Sequence, residues 1–228
     1  MSARKTVLAV TAVVLVTTVV FTGKSPNAAE SGERFVAPLT AIPVEQQIQL
    51  ALSAAPPEIS QQATVYVLES KGYVKVRTGT NGFTCLVERQ YPGTLEPTCY
   101  DAEGSATTLQ ARLYREELRA AGIPEAEIQK KIDAEYKTGT LKAPRKPGLA
   151  YMLSTQNKAF SPIDNRIVHV PPHLMFYAPY TTNKDLGGFL GMYMPHVIFE
   201  GQPDAFIIVV PALMSAAPQQ PAGATGIK

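Results

Sequence analysis

Tryptophan is absent from this 228-residue chain, cysteine occurs twice and histidine three times. Two cysteines so far apart, Cys85 and Cys99, leave no C-x-x-C pair. His169, His173 and His196 are all the imidazoles available to a metal or to general-base chemistry. The patterns G-x-S-x-G, H-E-x-x-H and a phosphate-loop glycine run do not occur. "KTG" at Lys137 to Gly139 closes a helical pattern, and the only S-x-x-K, from Ser2 to Lys5, lies ahead of a hydrophobic run, so the penicillin-binding pattern fails. "DAEG" at Asp101 to Gly104 has too few oxygen ligands for a calcium loop and reads as the start of a helix capped by Ser105 or Thr107.

Charge is also scarce, at 18% of residues, and its excess sits at the start of the chain. Arg4, Lys5 and Lys24 are the only ionisable side chains in the first 29 residues; without them 18 basic residues face 19 acidic ones. A near-neutral body argues against nucleic-acid binding. The N-terminus has a basic head, Arg4 and Lys5, followed by an uncharged run from Thr6 to Gly23 and small residues at Ala28 and Ala29. This pattern predicts export by a signal peptide over 1–29, with an uncleaved anchor as the alternative because the run is nearly long enough to span a bilayer. The expected location is periplasmic or secreted. In such a compartment the two cysteines are expected to form a disulfide, whose loop closure stabilises by about 3 kcal/mol.

Beyond the leader, residues 30–41 read as a spacer, 42–214 as one α+β domain and 215–228 as a disordered tail. Val44, Ile48 and Leu52 recur on one face of a helix ended by Pro56-Pro57. "ATVYVLE", "YVKVR" and "GTNGFTCLVER" then read as a three-stranded meander, with Phe83, Cys85 and Val87 on one face. Leu109, Leu113, Tyr114, Leu118 and Ala121 form one helical stripe, and Ile128, Ile132 and Tyr136 a second beyond Gly122. The pair resembles a helix-turn-helix in outline, but the charge balance favours an αα-hairpin packed on a sheet. The C-terminal third returns to strands: "LAYMLS", "RIVHV", "HLMFYAP", "HVIFE" and "AFIIVVP". The expected architecture is an antiparallel sheet with the αα-hairpin and the N-terminal helix against it.

Candidate chemistry concentrates between His173 and His196. His173 stands at a strand mouth after Pro171-Pro172; Tyr177, Tyr180 and Tyr193 surround a Gly-Gly loop that also carries Asn183 and Asp185. Aromatic and polar side chains on a loop above a sheet suit ligand binding, so these six residues form the expected binding set. An enzymatic alternative uses His173 or His196 as base with Asp185 or Glu200 nearby, as in a hydrolase. A second alternative is copper, because Met192, Met194 and His196 alternate in an extended segment and thioether with imidazole suits Cu(I). No other cofactor is expected.

The segments "TNGFTCLVER", "EPTCYDAEG", "PHLMFYAPY" and "GQPDAFIIVVP" resemble those of uncharacterised exported bacterial proteins, over about residues 44 to 211. That resemblance implies a bacterial, exported protein and brings no activity or site residue with it. The expected function is binding of a small molecule or an envelope partner.

Overall fold

Residues 39–211, apart from 92, 162–164 and 192, are described by a computed structural model. The expected leader, the spacer as far as residue 38, the tail from 215 and Met192 lie outside the described residues. Among the described residues no helix is long and apolar enough to cross a membrane.

Ten strands are present among the described residues: β1 (Thr64–Glu69), β2 (Gly72–Arg77), β3 (Thr84–Glu88), β4 (Glu96–Tyr100), β5 (Leu149–Met152), β6 (Lys158–Ser161), β7 (Arg166–His169), β8 (His173–Tyr177), β9 (His196–Ile198) and β10 (Phe206–Val209). Eight form one sheet in the order β2-β1-β3-β4-β5-β8-β10-β9, and β6 with β7 forms a separate hairpin. The sheet is mixed. β1 pairs with β2 antiparallel but with β3 in parallel, which corrects both the meander and the wholly antiparallel sheet. The cause lies in residues 77–80, which carry the chain across the start of β1. Arg77 donates to the Ser60 and Ala63 carbonyls, the Gly79 N–H to Thr64 Oγ1 and the Thr80 N–H to Gln62 O. Gly79 lies so close to Ala63 and Thr64 that any side chain there would overlap their backbone. β3 therefore starts on the far side of β1 from β2.

Helices cover both faces of this sheet. On one face lies α1 (Val44–Leu52), followed by the single turn α2 (Pro57–Ser60). α1 buries Gln47, Leu50 and Ala51, at i, i+3 and i+4; of the expected stripe, Ile48 and Leu52 are half-buried against the same core, whereas Val44 is exposed. The hydrophobic count missed Gln47 because its burial is polar in origin. The Gln47 amide accepts from Leu68 N–H at 2.8 Å and donates toward the carbonyls of Leu68, Leu39 and Ile42, so a buried side chain completes the bonding of β1. Beneath α1, Cys85 and Cys99 stand directly opposite each other on β3 and β4, fully buried and joined as a disulfide. Alkylation without prior reduction should leave both cysteines unmodified in an intact-mass measurement; a two-adduct shift would contradict the bond.

The other face carries α3 (Ala102–Ala106), α4 (Thr108–Ala120) and α5 (Glu125–Thr138). Leu86, Tyr100, Leu109, Met175 and Phe206 form its core. α4 and α5 make the expected hairpin: Ile128 and Ile132 are buried, Pro124 precedes the first turn of α5 and Gly139, at φ 80°, ends it. Thr107 occupies the N-cap position of α4, as expected, but makes no side-chain cap bond; the short α3 ahead of it is capped by Asp101, whose Oδ1 accepts from the Gly104 N–H at 2.9 Å. Acidic residues opposite each other at the ends of β3 and β4, Glu88 and Glu96, also face this side and are buried.

Candidate functional site

The segment from His173 to His196 divides into a buried part and an exposed part. His173 is buried at the start of β8, with Nδ1 2.8 Å from the Pro171 carbonyl; burial lowers the pKa of its ring. His196 is buried at the start of β9, with Nδ1 2.8 Å from the Met194 carbonyl and its ring edge-on to Phe189. Neither ring is hydrogen-bonded to a carboxylate among the described residues. Tyr177 is in the core, and its hydroxyl donates to Asp101 Oδ1 at 2.9 Å and to Leu149 O at 3.0 Å. Burial, then the Asp101 charge, raises its pKa far above the usual phenol range. Asn183 and Asp185 hold the loop together. Asn183 accepts from Val197 N–H at 2.7 Å and donates to Val197 O at 3.0 Å, while Asp185 accepts from both the N–H and the hydroxyl of Thr182 at 2.8 Å. The Thr182 N–H, followed by its hydroxyl, lowers the Asp185 carboxyl below its ordinary value. Glu200 accepts from the Asn183 N–H at 2.6 Å. Tyr180, Tyr193 and Met194 are exposed. The six expected binding residues thus do not converge on one pocket. Among the described residues no group of three or more His, Cys, Asp or Glu side chains is placed to hold a metal.

A cavity of about 1150 Å³ opens elsewhere, between α4, α5, the β3–β4 connection and the β9–β10 turn. α4 presents Arg112, Arg115 and Arg119 to it, at i, i+3 and i+7 on one helical face. Gln129, Asp133 and Tyr136 answer from α5 with nearly the same spacing. The guanidinium groups are already engaged. Arg89 reaches Glu116 with two bonds of 3.0 and 3.1 Å; Arg119 bonds Glu116 and Glu125; Arg115 bonds Glu125 and Gln129. Arg112, whose side chain is 10% exposed, pairs with Asp204 at 3.1 Å and lies 3.4 Å from Glu88. Burial opposes its charge, but Asp204, Tyr100 and Glu88 more than offset that and raise its pKa.

The wall next to Arg112 is strained backbone. Phe199 has φ 55°, a left-handed conformation that costs an aromatic residue about 1–3 kcal/mol, and its ring lies 5.0 Å from the Arg112 guanidinium. Three backbone bonds hold it there: Ala178 N–H to Ala205 O and Tyr180 N–H to Gln202 O, with Gly201 N–H to Thr181 O, each 2.9 Å. Tyr180 therefore belongs to the turn that braces the cavity wall rather than to a pocket of its own. Among the described residues the Tyr136 hydroxyl, buried on this lining, has no hydrogen-bond partner; nor has Arg112 Nε, which has the Glu88 charge beside it. Burial and then Asp204 raise the pKa of Tyr136.

Behind the cavity, Glu88 accepts from the Tyr100 hydroxyl at 2.5 Å, and Glu96 accepts from the Gln90 N–H at 3.3 Å. Burial raises both carboxyls; for Glu96 the facing Glu88 charge adds to burial and pushes it up to about 7. The sequence carried one sign of this site, the basic stripe 112, 115 and 119 on the first helix of the hairpin, which reads equally as a solvated helix face. Set against known proteins, the chain matches no family model, no curated protein and no solved structure.

Proposed function

We propose that this chain is an exported binding protein whose ligand is a small, mainly apolar, uncharged molecule held in the cavity between α4 and α5. The observation that carries the reading is the cavity itself, of about 1150 Å³, with Ile132, Phe199, Pro203 and Tyr136 on its wall and its arginines neutralised by acids. Ligand sites are concave, largely apolar and supplied with few polar groups, as here. Charge decides the ligand class. An anionic headgroup would have to displace Glu116, Glu125 or Asp204 from arginines they already satisfy, and a cation would face those same guanidinium groups. A neutral molecule with one acceptor for the Tyr136 hydroxyl pays neither cost. The export expected from the leader fits a carrier or sensor of such molecules outside the cytoplasm.

Nile red, a neutral apolar fluorophore, tests this reading. It should bind with enhanced emission, and Ala126→Trp, which places an indole on the cavity lining from α5, should weaken binding by about tenfold or more. Phe189→Ser with Leu190→Ser, on the remote exposed loop, should leave cavity binding unchanged. Equal binding by the Ala126→Trp variant would defeat the proposal.

A further inference from the structure

The loop between the short 3-10 turn Asn183–Leu186 and β9 has a composition opposite to that of an ordinary surface loop. From Leu186 to Pro195 there are ten residues without a charge. Leu190 is 67% exposed, Tyr193 63%, Met194 50% and Phe189 49%, so four large apolar side chains of one short loop face solvent together. A hypothetical Cβ on Gly187, Gly188 or Gly191 would meet nothing within 4 Å, so the loop backbone is open to solvent on that side. All three glycines have positive φ, between 92° and 122°, which other residues adopt at a cost.

The root of the loop is fixed although its tip is bare. Asn183 clamps the Val197 backbone with two bonds, Thr182 and Asp185 form a reciprocal capping box, and Glu200 receives the Asn183 N–H. Phe189 keeps one edge contact, with the buried His196 ring. A rigid root holds the tip in a set position, so inserting it would cost little ordering entropy.

We infer that this loop inserts into the interfacial region of a lipid bilayer. Three observations favour a bilayer over a protein partner. First, the apolar groups are exposed on a short glycine-rich loop with open space around its glycines. Second, charge is graded along the loop: Lys184 and Asp185 stand at the root, Phe189 and Leu190 at the tip, and Tyr193 provides an amphipathic ring of the kind enriched at headgroup level. Third, the same chain carries the uncharged run from Thr6 to Gly23. The anchor alternative read from that run would keep the domain at a bilayer surface, where the loop would add a shallow interfacial contact.

Because the chain has no tryptophan, a single introduced indole reports without background. The full chain is reconstituted in phosphatidylcholine–phosphatidylglycerol vesicles as either Phe189→Trp or Val74→Trp. Val74 is exposed on β2, the sheet edge opposite β9, and serves as the control. Brominated lipids should quench and blue-shift the emission of Phe189→Trp and leave Val74→Trp unaffected. Adding Leu190→Ser and Tyr193→Ser to the Phe189→Trp chain should reduce that quenching several-fold, with an unchanged circular dichroism spectrum and thermal midpoint as proof of folding. Equal quenching of the two reporters, or none at Phe189→Trp, overturns the inference. Cross-linking between copies that depends on Leu190, with Phe189→Trp unquenched, would assign the loop to a second copy and also overturn it.

Discussion

Glu96→Gln should stabilise the protein at pH 8 by about 3 kcal/mol and change it by less than about 1 kcal/mol at pH 4.5. The sign follows from the direction of the shift. Burial and the facing Glu88 push Glu96 up to about 7 in the folded chain, whereas an unfolded glutamate titrates near its ordinary value. Between these two values the folded state holds a proton that the unfolded state has released, so stability falls as pH rises through that window. Above about pH 7 both states are ionised and the cost is fully developed. Glutamine keeps the acceptor for the Gln90 N–H and can donate to Glu88, so the neutral form is preserved at every pH. Urea unfolding of both chains from pH 4.5 to 8.5 measures the difference; parallel stability curves would show that Glu96 is not the titrating group.

The same glutamate bears on the neutral ligand proposed for the cavity. Around it, Arg89, Arg112, Arg115 and Arg119 meet Glu88, Glu116, Glu125 and Asp204, four bases against four acids. Glu96 and Asp133 stand outside these pairs, and the raised pKa of Glu96 reduces the acid excess. A ligand that brought a charge would upset this balance in a region where burial makes unpaired charge costly.

How far the fold could be read in advance depended on where each residue's burial came from. Strands with alternation, such as β1 and β8, the continuous apolar run of β10, and the stripe Ile128–Ile132 on α5 were legible because apolar burial leaves a pattern. β4 was not. Its residues Glu96, Pro97, Thr98, Cys99 and Tyr100 read as a loop, yet every one is buried, held by the disulfide and by the bond from the Tyr100 hydroxyl to Glu88 on β3. The parallel pairing of β1 with β3 escaped for a related reason, since it rests on the backbone bonds of residues 77–80 and not on any apolar pattern. At the site, the sequence drew attention to the aromatic loop but could not separate Tyr177, in the core, from Tyr193, in solvent. The arginine-lined cavity combines four segments distant in sequence, and no local pattern announces such a meeting.

Asp101→Ala should lower the unfolding free energy by about 4 kcal/mol, because one carboxylate there joins three elements through bonds to a charged acceptor. Its Oδ1 receives the Gly104 N–H, which starts α3, and the Tyr177 hydroxyl from β8; its Oδ2 receives the Leu149 N–H at 2.9 Å, which starts β5. The surroundings are built to this carboxylate. A Cβ on Gly104 would overlap the Tyr177 hydroxyl, and one on Gly148 would overlap Asp101 itself, so both glycines are required by close approach. Removing the carboxylate leaves the Leu149 N–H without its partner, deprives Tyr177 of its stronger acceptor and uncaps α3 at one stroke. Asp101→Asn keeps an acceptor for the cap and should lose roughly half as much, while Tyr177→Phe, which removes one of the three bonds, should cost about 1–2 kcal/mol. Urea denaturation of the three variants orders them. If Asp101→Ala proves too unstable to isolate, the Asn and Phe variants still decide the matter. Losses below about 0.5 kcal/mol in both would mean that the strands and α3 hold their places without this junction.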